Sequence, residues 1–351
     1  MSGHRILFRC YGGAALAVGL AGSLASACVA EAQTNFFAGK QIQFLIGTGA
    51  GDSYDIYSRL LAKYLPRYLP GAPLVTPVNK SGAGSLVAVN ALYNASPRDG
   101  TVLAMGQRFV PLMPLLDMPG AQFEPLKLNY IGSMAKDTTV CILHKRAEIK
   151  SIADAKGKQL VVGTMGAGTE ITNFTAPIGR LLGIDFRVVR GYNSSGDIDL
   201  AIERGELQGR CGVSWSSLKR AHPDWLAQGT VVVYLQIAMQ RLKDLPEVPA
   251  LAELASERDR AALKLLLAPG DIARPVFGAP DMPAERLAAL RQAFDGAIAD
   301  RELLAEAAKE QLDIEPMRGV DMEAMIRELY AAPPDVVLRA RELVAAAPQG
   351  D

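Results

Sequence analysis

The stretch FLIGTGAGDSYDIYSRLLAKYL, Phe44 to Leu65, runs from an apolar strand through a glycine-rich turn into an amphipathic helix. Such a turn points bare backbone N–H groups at a helix N-terminus, which is anion-binding chemistry. The flanking residues decide which anion. A phosphate loop of the Walker kind needs a Lys and then a Ser or Thr after its glycines. Here Gly51 is followed by Asp52-Ser53-Tyr54. The dinucleotide pattern G-x-G-x-x-G also fails, because Asp52 stands where the third glycine belongs after Gly47 and Gly49. Asp52 and Asp55 would further repel a phosphate. A nucleotide site is therefore the minority reading.

Catalytic chemistry is poorly supplied. Beyond the first 32 residues the chain holds only His144 and His222, and it has no HExxH, so neither a metal nor another cofactor is expected. RCGVSW, Arg210 to Trp215, faintly resembles a cysteine-protease nucleophile stretch, yet Ser214 occupies the nucleophile's place. Cys211 has no evident base except His222, and an unassisted nucleophile lacks its main requirement. No G-x-S-x-G elbow occurs. An exported α/β hydrolase using Ser or Cys stays as the rival reading, with a ligand-sensing module for a membrane signalling partner as the other; neither is asked for by the residues, and no enzyme is expected.

The elements that would position the turn form an α/β pattern. The opening stretch has a second copy, KQLVVGTMGAGTEITNFTAPIGRLLGI, Lys158 to Ile184. Gly49-Ala50-Gly51 corresponds to Gly166-Ala167-Gly168, and Arg59-Leu60-Leu61 to Arg180-Leu181-Leu182. Two copies a domain's length apart suggest two similar lobes, each with a glycine turn at a strand's carboxyl end, where open α/β sheets bind ligands. Residues 73–79, 100–106, 138–145, 186–192 and 231–238 read as further strands, and 80–95 as a glycine turn entering a helix. Beyond Pro283, placed at a first helical position, the composition turns helical.

Bulk properties bound the class. The chain has 351 residues, 49% hydrophobic and 21% charged, with 37 basic and 37 acidic side chains. That permits two packed domains and offers no basic stripe for nucleic acid. Residues 1–32 read as a signal peptide: Arg5 and Arg9, a small-residue apolar stretch, then Ala30-Glu31-Ala32, which leaves Gln33 as the mature N-terminus. An uncleaved anchor and lipidation at Cys28 are the lesser alternatives. The expected location is the periplasm. Cys141 and Cys211 remain; they can pair in a disulfide or stay as two buried thiols, and spacing alone does not choose.

The ordered series of motifs resembles one family along almost the whole mature chain: the periplasmic substrate-binding receptors of tripartite tricarboxylate transporters, the TctC-like or Bug proteins. KQIQFLIGTGAGDSYD stands where the family has a strand and a PFxAGGxxD turn, and VNKSGAGS resembles ENRPGAGG. ASPRDGTVLAMG resembles A-x-PDGYTLL, and FEPLKLNYIGSM resembles YDPxxDFxxI. GTMGAGTEIT and VRGYNSSG resemble the second-lobe GxGxGSxxH and VPYxG, and LPEVPALAEL resembles LPDVPTxxE. The resemblance implies a two-lobed α/β fold of the type II periplasmic binding protein kind, with a hinge and an interlobe cleft. It implies lobe 1 at 33–137 plus 236–351, including the C-terminal helices, and lobe 2 at 138–235. Hinges are expected near residues 135–139 and 231–236. It implies a monomer that carries a small organic acid to membrane permease subunits.

By matching position, ligand contacts fall on Ala50, Gly51, Asp52, Ser53, Ser81, Gly82, Ala83, Gly106 and Gln107 of lobe 1, and on Thr164, Gly166, Ala167, Gly168, Thr169, Tyr192 and Asn193 of lobe 2. Arg108 and Arg190 are candidate positive charges, and Trp215 with Tyr192 candidate walls. Two departures stand out. Asp52 replaces a glycine, and the family's His near the second turn is missing. Asp52 and Glu170 either meet a ligand or serve the helix dipole, where first-turn acids are stabilising.

Overall fold

The structure, a computed structural model, describes Met1 and residues 36–165, 170–192 and 194–345. The leader, with Cys28 and the Ala30-Glu31-Ala32 site, lies outside the described residues.

Eleven strands form two sheets among the described residues. They are β1 (Gln41–Ile46), β2 (Leu74–Asn79), β3 (Val102–Met105), β4 (Asn129–Ser133), β5 (Thr139–His144), β6 (Gln159–Gly163), β7 (Asp185–Val189), β8 (Gly209–Ser214), β9 (Val231–Ile237), β10 (Pro275–Gly278) and β11 (Met317–Arg318). The first sheet has the order β11-β4-β10-β3-β1-β2, and the second β7-β6-β8-β5-β9. In β1 the alternation of QIQFLI sends Ile42 and Phe44 to one face and Leu45 to the other. Ile42 and Phe44 pack with Leu61 of the helix Ser53–Tyr64 and Phe294 of the helix Ala284–Ile298. Leu45 joins a core shared with Val89, Leu92 and Phe109. Burial of this kind on both faces is worth about 25 cal/mol per Å² of apolar surface and fixes the register of β1.

The second sheet is tied covalently at its centre. Cys141 on β5 and Cys211 on β8 are bridged, with an S–S distance of 2.10 Å, and both are fully buried. The bridge sits where the β5–β8 register shifts between Val140 and Ile142. Its sequence separation is 70, a loop whose closure removes about 4 kcal/mol of unfolded-chain entropy in the simplest account.

Three features differ from the sequence expectations. Pro283 is an N-cap and the helix starts at Ala284. β9 pairs with β5 from His144↔Val231 to Thr139↔Ile237, so residues 231–236 are sheet rather than hinge. The return crossing is 268–274, which lies along 134–138: Ala273 N donates to Ala135 O at 2.9 Å, and Asp137 N to Gly270 O at 3.0 Å. The last helix, Pro334–Val344, packs on the second half of the molecule as well as the first. Its Val337, Ala340 and Leu343 share a core with Ile178 and Leu182 of the helix Glu170–Leu182. Arg180 donates to Leu343 O at 2.9 Å, and Arg341 to Leu115 O at 2.9 Å.

Candidate functional site

β1 lies between β2 and β3 and runs parallel to both. Their carboxyl ends therefore emerge on one sheet edge, on both sides of the first strand, which is the ligand-binding position of open α/β sheets. Three turns meet there: 47–52, 80–85 and 106–107.

Ser85 fastens the three together. It is 1% exposed. Its Oγ donates to Gly47 O at 3.1 Å and accepts from Gln107 N at 3.1 Å. This closeness explains the glycine at 47, because a Cβ there would come within 2.4 Å of Ser85 Cβ and Oγ. The backbone leading to Ser85 is unusual. Gly82, Ala83, Gly84 and Ser85 have φ of 137°, 45°, 61° and 76°. Left-handed backbone costs an ordinary residue roughly 1–2 kcal/mol, and such strain collects at functional sites. Ser81, Gly82 and Ala83 are exposed. Among the described residues the amides of Gly82 and Ala83 have no protein acceptor.

The 47–52 turn is arranged differently. Asp52 is the N-cap of the helix Ser53–Tyr64, and its Oδ1 accepts from Tyr54 N at 2.9 Å. Asp55 turns back, so that its Oδ2 accepts from Gly51 N at 2.8 Å. Its Oδ1 accepts from Arg59 Nε at 2.9 Å and from Asn79 Nδ2 at 2.8 Å. Asn79 Nδ2 also donates to Thr48 O at 3.0 Å, which ties the end of β2 to this turn. Burial pushes the Asp55 carboxyl up, but Arg59, the Gly51 amide and Asn79 outweigh it and hold it below its usual value. For Asp52 burial wins: its carboxyl is raised, and the Tyr54 amide, Arg274 and the Thr48 hydroxyl offset that only in part. Ser53 Oγ accepts from Arg274 Nη2 at 2.7 Å. Of the sequence-derived contacts on this turn, Asp52 and Ser53 are thus engaged within the chain, Gly51's amide is occupied, and Ala50 is exposed.

Gly106 is buried, where a Cβ would meet Val89 Cγ2 at 3.1 Å. Gln107 is half-buried, and its Oε1 is shielded from solvent with no donor. In the second half, Thr164 is fully buried with its hydroxyl unpartnered, while its N–H donates to Val189 O at 2.8 Å. Gly166, Ala167, Gly168, Thr169 and Asn193 lie outside the described residues. Tyr192 is half-buried against the cluster that holds Trp215. Trp215 is a core residue, 9% exposed, and its Nε1 donates to Asp244 at 3.3 Å. Arg190 is exposed, and Arg108 is buried.

Arg108 belongs to a charged node at the crossing that sequence reasoning missed. Asp137 is the hub. Its backbone O accepts from Arg108 Nη1 at 2.7 Å, and its carboxylate faces Arg274 Nη2 at 3.6 Å. The same carboxylate accepts from the hydroxyls of Ser214 and Ser216, the latter at 3.1 Å. Arg274 is held over the rings of Tyr54 and Tyr57 at 4.7 and 4.9 Å, a cation–π arrangement strengthened by burial. Burial pushes the Tyr57 hydroxyl up to about 12. Elements of both sheets thus converge on one residue of the crossing. A crevice beside it is lined by Arg108, Phe109, Asp137, Thr139, Phe174 and Ile237. Ser214 is spent on Asp137, and Cys211 on its bridge. His222 pairs with Asp199 at 2.9 Å. These three do not form a nucleophile–base arrangement, and no metal-ligand cluster occurs among the described residues.

No protein-family model matches the chain. A UPF0065 protein of Bordetella bronchiseptica is 32% identical over 116 residues, 32% of this chain; the match spans about a third, 34%, of that relative's length. A UPF0065 protein from the gbd 5' region of Cupriavidus necator is 27% identical over 249 residues, 69% of this chain and 71% of that one. Among solved structures, a TctC solute-binding protein from Polaromonas aligns with TM-score 0.61 at 18% identity, covering 87% of this chain and 98% of the other. The periplasmic binding protein BugD aligns with TM-score 0.66 at 14% identity, covering 88% and 98%. MatC from Rhodopseudomonas palustris, solved with bound malate, aligns with TM-score 0.63 at 18% identity, covering 86% and 100%. These neighbours are binding proteins, not enzymes. The chain has the two-lobed α/β fold of the TctC and Bug periplasmic binding proteins, and its sequence relatives are UPF0065 proteins.

Proposed function

We propose that the chain is an exported receptor that captures a small organic acid between its lobes and delivers it to the permease subunits of a tripartite tricarboxylate-type transporter. The observation that carries this is the left-handed run 82–85 beside the β1 switch point, with two open amides. Backbone amides of this kind attract an anion without a lysine. Malate in the MatC neighbour agrees with an acid ligand. The lobes are 33–137 with 236–351, and 138–235, except that the last helix bridges the two. The contacts are Ser81, Gly82, Ala83 and Gln107 from the first lobe and Thr164, Gly166, Ala167, Gly168, Thr169, Tyr192 and Asn193 from the second. Closure is a hinge motion at 134–138 and 268–274 around Asp137.

Thermal unfolding of the exported protein against carboxylates, amino acids, aromatic acids and nucleotides tests the reading. A ligand at 100 times its Kd stabilises by about 2.7 kcal/mol, a shift of a few degrees. A shift with one class of small acids is the expected outcome. A shift with nucleotides alone would overturn it.

A further inference from the structure

Resting on the receptor reading, we propose that Asp52 makes this cleft selective for acids that also carry a hydrogen-bond donor, a hydroxyl or an ammonium, next to the carboxylate chain. A helix N-terminus holds a ligand carboxylate only through amides that are free to donate. At the first turn two of them are not free: Gly51 N donates to Asp55 and Tyr54 N to Asp52. The chain's own carboxylates take up two of the donors that a ligand carboxylate would use. What stands beside these amides is acceptors. Asp52 uses one oxygen to cap the helix, and Gln107 Oε1 is shielded with no donor of its own. A buried acceptor left without a donor is costly, and a ligand donor would remove that cost.

The nearby cations do not reverse this. Arg274 is engaged by Ser53, the Ala273 carbonyl and Asp137. Arg108 is engaged by the Asp137 carbonyl. Arg59 is paired with Asp55. A ligand carboxylate is directed instead to the open amides of Gly82 and Ala83, and a second carboxylate toward Asp52 would meet like charge.

Calorimetry with matched acids reads this directly. The probes are propionate, lactate and alanine; succinate, malate and aspartate; and glutarate, 2-hydroxyglutarate and glutamate. Each set differs only in hydrogen, hydroxyl or ammonium at one carbon. In the set that binds, the donor-bearing member is expected to bind at least about tenfold tighter than the plain acid. Asp52→Asn keeps a good N-cap, so the fold survives, and a melting curve checks it. The variant should erase most of that preference, with the plain acid gaining about tenfold. A larger loss for the amino acid than for the hydroxy acid identifies the donor as ammonium; similar losses identify hydroxyl. A plain acid that binds the native protein as tightly as its substituted partners, unchanged in Asp52→Asn, overturns the proposal and leaves the receptor reading standing. No binding by any of the nine overturns the proposal, while the receptor reading falls only to a shift with nucleotides alone.

Discussion

The two glycine turns on the first sheet edge, 47–52 and 80–85, sit side by side and solve opposite problems. The first opens a regular helix, and two of its amides, those of Gly51 and Tyr54, are engaged by Asp55 and Asp52. The second passes through four positive φ values before its helix begins, and the amides of Gly82 and Ala83 stay open. Both are rich in glycine, but for different reasons. Gly47 is required by the approach of Ser85. Gly82 and Gly84 are required by the left-handed backbone. Glycine content therefore marks both turns, while the neighbouring carboxylates set which of their amides stay open.

The contrast can be broken most severely at Gly47. Gly47→Ala forces Ser85 aside, and Ser85 holds all three turns. A loss of about 1–3 kcal/mol is expected in urea unfolding, with loss of acid binding as well. Asn79→Ala removes the donor shared by Thr48 O and Asp55 Oδ1. It should cost about 1–2 kcal/mol and release Gly51 N from Asp55, which would show as faster exchange of that amide. Ala83→Gly tests the other turn with the opposite sign. It relieves φ of 45° at Ala83 and should stabilise by up to about 1 kcal/mol without weakening binding, if the strain belongs to the backbone and not to the side chain.

The smallest effect lies in the second sheet and checks that the contrast is local. Burial, then the charges of Arg146 and Lys145, push the His144 imidazole below its usual 6.5. Its Nδ1 accepts from Arg146 N at 3.1 Å, which requires the neutral ring. A depressed base is a group the unfolded chain protonates first, so its contribution is full above pH 6.5 and is lost as pH falls below it. Unfolding at pH 7.5 and 5.5 should differ by less than about 1 kcal/mol from this source, and His144→Gln should abolish that part. The protection of Gly51 and Tyr54 should stay unchanged in that variant.

What the sequence disclosed was local. The 47–52 and 80–85 turns could be read because their glycines, flanking strands and helices are contiguous. The α/β alternation followed from the same periodicities, the two similar lobes from the repeated glycine turn, and the binding-protein fold from the family resemblance. What stayed hidden depends on through-space pairs. Asp137 and Arg274 are 137 positions apart and meet only because the outgoing and returning crossings lie along each other. Ser85 gave no sign of its hub role, since both partners come from other strands. Trp215, a candidate wall, is packed with Ile198 and Leu218 in the core of the second half. Asp52 was read with two roles open, and its capping bond shows one of them.

Residue-resolved amide hydrogen exchange on the ligand-free protein tests the central contrast most directly. The Gly51 and Tyr54 amides should be protected by the Asp55 and Asp52 carboxylates, while those of Gly82 and Ala83 should exchange near open-chain rates. Protection at 82–83 together with fast exchange at 51 and 54 would contradict the account, because the first turn would then be the open cradle.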